Sequence, residues 1–338
     1  MSPPPLPPLN EPQSFDNSIK FLTDKDVLVK ATNLLPSSLP TVICHGRVQD
    51  PESRVPDAWW KTVFGDNLYL QTDGDVVEDP AITLEEIRLL ESYGPIQDIF
   101  QRTTSIGGTA QTRILDLCCG QGRHILKLAE LYPHLELFGH DQSQYLIGLA
   151  KTRADASNLS SRTQFTIGDC RSVPHLDSSF SLVLVMGNSF GYFATENANK
   201  DLLKEIHRVL KPGGCAVLDI ADGAFLRENF SARGWEWVDD TMIACREREL
   251  SKDKKRLISR EVIISTEKGV IRDQFYAECL YSKDEIHQLV REAGLEVRDL
   301  QQSKVGAEAV TIGKDMSQRG EDLGMMEQRH FVVVFKPF

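Results

Sequence analysis

The residues best placed to do chemistry lie in the run ILDLCCGQGRHI, Ile114 to Ile125, where an apolar strand pattern meets Gly120 and Gly122 and then a helical pattern. Glycines in such a turn let backbone approach a ligand closely, and the free N–H groups and positive dipole of a helix start attract a carboxylate or phosphate. An acid, Asp141, follows the next strand 25 residues beyond Asp116, a spacing that places a carboxylate for ribose hydroxyls. A dinucleotide site would need a third glycine where this chain has Ile125, and Asp116 ahead of the turn would repel a pyrophosphate. Asp116 suits a ligand carrying an ammonium group instead.

Further candidates follow from position. The segment NSFGYF leaves the fourth strand at the carboxyl edge of the sheet, where ligands bind in open α/β folds, which makes Asn188, Tyr192 and Phe193 substrate-side candidates. His124 follows the glycine turn as a possible general base, although a helix N-terminus lowers imidazole basicity. Cys118 and Cys119 read as small packing residues in the loop. Trp235 and Trp237 are expected to wall a pocket, whereas Arg246 and Arg248, two apart on one strand face, are expected to meet solvent.

The elements that must position these residues are legible in pattern. T-x-x-E from Thr83 to Glu86 predicts a capped helix start. After a Gly/Thr/Ser-rich loop at 103–110, strands RILDLCC, LELFGH, QFTIGD, SLVLVM and CAVLDI alternate with helices, the last of them stopped by KPGG. That alternation predicts an α/β fold with a doubly wound, seven-stranded, mostly parallel sheet, completed by LEVRDL and HFVVVFKPF. Residues 234–281 break the rhythm with short β-like runs and predict an antiparallel insertion after the fifth strand; S-x-x-E at Ser282 then opens a last helix. The expected organisation is a disordered Pro-rich tail over 1–14, a cap segment over 15–110, a binding core over 111–233, a β lid over 234–281 and a closing segment over 282–338.

Composition narrows the function classes. The 338 residues carry a formal net charge of −11, which opposes nucleic-acid phosphates and anionic lipid and favours neutral or cationic small substrates. The 7 cysteines are odd in number and scattered, with no C-x-x-C and no H-E-x-x-H, so a reducing, cytoplasmic setting is expected and no metal site. No apolar run is long enough for a membrane span.

Taken together, ILDLCCGQGRHI, FGHDQS, FTIGDCRSVP and RVLKPGG resemble the class I S-adenosylmethionine-dependent methyltransferases. Trp60, Phe64, Tyr69 and Leu70, with NSFGYF and RHFVVVFK, resemble a branch acting on small molecules. The resemblance implies S-adenosyl-L-methionine as cofactor. Asp116 and the backbone at Cys118 and Gly120, with Gly122 in the turn, would hold its methionine end, and Asp141 would take the ribose. Gln142, Asp169 and Cys170 would hold the adenine, Met186 would line the methionine arm, and Tyr69 would close over it. Family members usually have Asp where this chain has Ser181, ahead of the fourth strand. The implied activity is methyl transfer to a small molecule; a non-methylating cyclisation or rearrangement and a cofactor-binding regulatory role are the alternatives.

Overall fold

The structure, a computed structural model, describes residues 43–102, 112–298 and 328–338. The Pro-rich tail and the 103–110 loop expected from sequence lie outside the described residues.

Seven strands form the main sheet: β1 (Arg113–Leu117), β2 (Glu136–Asp141), β3 (Thr163–Ile167), β4 (Phe180–Val185), β5 (Leu210–Ala221), and, late in the chain, β10 (Glu296–Val297) and β11 (Arg329–Phe335). Their order is β10-β11-β5-β4-β1-β2-β3; β1 to β5 pair in parallel, and β11 runs antiparallel to both its neighbours. The expected doubly wound, mostly parallel sheet is therefore what the chain forms. Parallel strands covered by helices on both faces read as near-continuous apolar runs. Accordingly Ile114, Leu182 and Val217 pack on one side of the sheet while Leu115, Leu117, Val183 and Leu218 pack on the other. The winding direction changes between β1 and β4, so the carboxyl ends of these two strands flank a crevice.

A second, four-stranded antiparallel sheet follows β5: β6 (Arg233–Asp239), β7 (Met242–Leu250), β8 (Arg256–Ser265) and β9 (Gly269–Cys279), in that order. It is the expected insertion after the fifth strand. Ahead of β1, short helices at Trp60–Val63, Leu68–Thr72 and Gly74–Val77 lead into a longer one, Pro80–Glu91. That helix starts earlier than Thr83: Asp79 is its N-cap, accepting from the Ala81 amide at 2.7 Å, and Pro80 takes the first helical position, where its missing N–H costs nothing. Thr83 and Glu86 are instead buried on the core side. The capping box at Ser282 and Glu285 forms as expected and opens the helix Lys283–Glu292. Among the described residues no helix is long and apolar enough to cross a membrane.

Candidate active site

The loop after β1 is shaped by three left-handed residues, Cys118 (φ 59°), Gly120 (φ 55°) and Gly122 (φ 77°). The Gly120 N–H donates to Asp141 Oδ2 at 2.9 Å and the Ser143 N–H donates to Oδ1 at 2.8 Å, so the carboxylate at the end of β2 also ties this loop down. Gly122 lines neither cavity described below. A Cβ there would meet the Phe165 ring at 2.9 Å and Ala150 at 3.1 Å, so its role is to let the helix Arg123–Leu131 approach the sheet.

Two adjoining cavities open over the crevice. The larger, about 570 Å³, is walled by Trp60, Phe64, Asp141, Gln142, Asp169 and Cys170. The smaller, about 190 Å³, is walled by Asp116, Met186, Asn188 and, from the four-stranded sheet, Arg246, Tyr276 and Glu278. Tyr69, Cys118, Gly120 and Tyr192 line both. An aromatic cluster supplies the divider: the Phe64 ring meets Tyr69 edge-on at 4.8 Å and stacks on Tyr192 at 5.8 Å, and Trp59 lies 4.7 Å from Tyr192. At the rim of the larger cavity Asp169 is paired with Arg171, which holds its carboxyl below the usual range, and the Gln142 amide donates to the Trp60 carbonyl at 3.2 Å. The Arg171 guanidinium sits over the Phe193 ring at 4.2 Å.

Asp116 is 1% exposed and neither carboxyl oxygen has a hydrogen-bond partner. Burial pushes its pKa to about 8, with Arg123 opposing the shift. An orphaned buried carboxyl costs free energy unless a cationic or donor group completes it. Beneath it lies a buried ionic network. Glu86, on Pro80–Glu91, pairs with Arg123, with His124 Nε2 at 2.9 Å and with Arg329 at 3.0 Å; Arg329 also reaches Asp219 at 2.8 Å, whose other contact is the Gly187 N–H at 2.8 Å. Against its burial, Arg123 and His124 hold the Glu86 carboxyl well below the usual range. Burial, then Arg123, lowers His124 to about 4. With Nε2–H given to Glu86, only Nδ1 is left toward Asp116, at 3.7 Å. A neutral ring pinned in this way supports the floor of the site and is poorly placed to take a proton from a substrate.

The four-stranded sheet departs from expectation. Trp235 and Trp237 point outward, 66% and 54% exposed, while Arg246 is 5% exposed and faces the cavity, paired with Glu236 and with Glu261 at 2.9 Å. Arg248 also lines the cavity. The inner face of this sheet is polar because it roofs the site. The sequence reading missed Glu86, Arg329 and Glu278. Glu86 was visible only as the closing acid of a T-x-x-E capping box and Arg329 only as the first residue of RHFVVVFK. Asn188 proves to be a bridge: its Oδ1 accepts from the Ala221 N–H at 2.8 Å and its Nδ2 donates to Glu278 at 2.8 Å, joining the core to the inserted sheet.

Comparison with known proteins agrees with this geometry. Residues 114–214 match the model of a methyltransferase domain. A demethylmenaquinone methyltransferase of Lactobacillus johnsonii is 38% identical over 101 residues, 30% of this chain and 40% of that protein. A ubiquinone/menaquinone biosynthesis C-methyltransferase of Geotalea daltonii is 33% identical over 107 residues, 31% and 44% of the two chains. The chain thus spans about half the length of the curated relatives it matches. Among solved structures, the sugar N-methyltransferase KedS8 of Streptoalloteichus superposes with a TM-score of 0.54 at 18% identity, covering 90% of this chain and 98% of that one. The CcbJ methyltransferase of Streptomyces caelestis gives 0.53 at 17% identity, covering 68% and 85%. The chain carries a class I methyltransferase fold, and its residues 114–214 match a methyltransferase domain.

The residues fit S-adenosyl-L-methionine. The unpartnered Asp116 matches an ammonium, the left-handed loop lets backbone approach a ligand, and the larger cavity is lined by Trp60 and Phe64 together with Asp141, Gln142 and Asp169.

Proposed function

We propose that this protein is an S-adenosylmethionine-dependent methyltransferase acting on a small molecule. The observation that carries the reading is Asp116: a buried carboxyl without a partner, on the wall between strand end and cavity, in a chain with a methyltransferase domain. Asp116, Cys118, Gly120 and Met186 hold the methionine end, Asp141 the ribose, and Gln142, Asp169 and Cys170 the adenine, with Tyr69 covering the junction. Gly122 acts through packing. The bound cofactor supplies an electrophilic methyl group on a positively charged sulfur.

What the chain's own residues do is align and exclude water. The aromatic divider of Phe64, Tyr69 and Tyr192 separates the adenosine cavity from the acceptor cavity, and alignment of two reactants in a dry site accounts for much of a transfer rate. The roof is the four-stranded sheet, which we assign as a lid over 234–281. The acceptor is small, since it shares a cavity of about 190 Å³ with the methionine end held by Asp116 and Met186. The acidic balance of the chain favours a metabolite over nucleic acid, and a cytoplasmic setting fits the scattered free cysteines.

The test is incubation with a metabolite extract and cofactor carrying an isotopically labelled methyl group. Labelled products heavier by one methylene unit are expected. Unlabelled isomerised products would favour a rearrangement, and cofactor binding with no product at all would favour a regulatory role.

A further inference from the structure

We propose that Glu278 is the residue that receives the acceptor in the smaller cavity, that the acceptor is a small amine entering as its ammonium, and that Glu278 takes the proton which frees the nitrogen lone pair. The inference rests on the methyltransferase reading above and adds to it a substrate class and a proton acceptor.

Position comes first. Glu278 lies on β9, in the roof of the smaller cavity, and shares that wall with Tyr192, Asn188 and Met186 from the strand-end loop of the core. Asn188 fixes it. Because Asn188 Oδ1 is committed to the Ala221 N–H, its Nδ2 must point at Glu278 Oε2, 2.8 Å away. One carboxyl oxygen is thereby anchored to the core, and the other has no hydrogen bond among the described residues. The roof carboxyl therefore stands over the cavity side that Tyr69 and Tyr192 divide from the adenosine side.

Charge comes second. Four guanidiniums line this cavity, Arg123, Arg246, Arg248 and Arg272. Arg123 is matched by Glu86, Arg246 by Glu236 and Glu261, and Arg272 by Asp66, while Arg248 donates to the Ser231 carbonyl at 3.4 Å. Asp73, Asp116 and Glu278 line the same cavity and pair with no arginine. Asp116 is accounted for by the cofactor's ammonium. That leaves Asp73 and Glu278 to meet a cation, and an ammonium bound beside Glu278 favours its ionised form. Trp59, Tyr192 and Tyr276 add aromatic faces, which favour a cation on an apolar body.

The proton step balances within the site. An N–H bond of the ammonium breaks, its electrons stay on nitrogen as the lone pair, and an O–H bond forms on Glu278, which later returns the proton to solvent. Burial raises the Glu278 carboxyl to about 8, with Asn188 and Arg248 opposing and Asp73 reinforcing, so its proton affinity approaches that of an amine. Tyr192 is held above its ordinary range by burial and by Glu278 itself, which leaves it a neutral wall.

The test uses the full chain loaded with S-adenosylhomocysteine and two probes of matched shape, cyclohexylammonium and cyclohexanol, in titration calorimetry, with Glu278→Gln as the variant. Glutamine keeps an oxygen for the Asn188 amide. The expected result is cyclohexylammonium binding at least tenfold tighter than cyclohexanol, a preference lost in Glu278→Gln, with S-adenosylhomocysteine affinity equal in both proteins. Equal or absent binding of the ammonium, or an unaltered preference in the variant, overturns the inference while leaving the methyltransferase reading intact. Failure of S-adenosylhomocysteine to bind the parent protein overturns both.

Discussion

Asp116 sets the pH behaviour of the site. Its pKa in the ligand-free protein, about 8, lies well above the unfolded value of about 3.9. Between roughly pH 4 and pH 8 the folded state therefore holds the extra proton, so this group's contribution to stability is largest at the acid end and falls as pH rises through that window. An ammonium bound beside it requires the ionised form. Near pH 7 cofactor binding is thus expected to release close to one proton, read as a difference in calorimetric enthalpy between buffers of different ionisation enthalpy. The release should vanish in Asp116→Asn and shrink above about pH 9. A buffer-independent enthalpy in the parent protein would contradict the assignment. Tyr69 gives a second residue-scale prediction. Removing the ring in Tyr69→Ala opens the divider to water and is expected to lower single-turnover rate on the order of a hundredfold, with a smaller loss of cofactor affinity, whereas Tyr69→Phe keeps the ring contact with Phe64 and most of the rate. If the alanine variant retains full rate, Tyr69 is plain core. Asp141 is less separable than the ribose role alone implies, since its truncation also frees the Gly120 and Ser143 amides; Asp141→Ala is expected to lose stability as well as affinity.

At the scale of elements, the site is held from below by β11 and the helix Pro80–Glu91 and from above by the inserted sheet. Arg329→Ala removes the cation shared by Glu86 and Asp219 and leaves buried charge uncompensated, which is expected to cost about 3–5 kcal/mol in denaturant unfolding. By contrast, replacing Trp235 and Trp237 by serine is expected to change stability by no more than about 0.5 kcal/mol and to leave turnover unaltered, because both rings face outward. A large loss of turnover in that double variant would show that the outer face matters to function. The same strands show where reading from sequence stops. The alternation of WEWV was plain, but its phase was assigned by hydrophobicity, on the premise that apolar residues face inward. Here the inner face roofs a polar cavity, so Glu236 and Arg246 turn in and the tryptophans turn out. The start of Pro80–Glu91 was misplaced for a related reason: Asp79-Pro80 and Thr83-x-x-Glu86 are competing start signals, and tertiary ion pairing gives Glu86 a partner other than its own helix end.

At the scale of the molecule, the parallel sheet was legible because buried strands and amphipathic helices alternate at regular spacing, and the loop from Asp116 to Gly122 was legible because glycine and acid sit where strand meets helix. Contacts between distant segments were not. Glu86 with Arg329 and Asn188 with Glu278 join residues 243 and 90 positions apart, and no local pattern announces either pair. The central claim, that the crevice between β1 and β4 receives S-adenosyl-L-methionine, is tested most directly by titration calorimetry of the full chain with S-adenosyl-L-methionine and with NAD. The account predicts saturable one-site binding of S-adenosyl-L-methionine and no measurable heat with NAD, whose pyrophosphate would meet Asp116. Comparable affinity for NAD, or no binding of S-adenosyl-L-methionine, would contradict it.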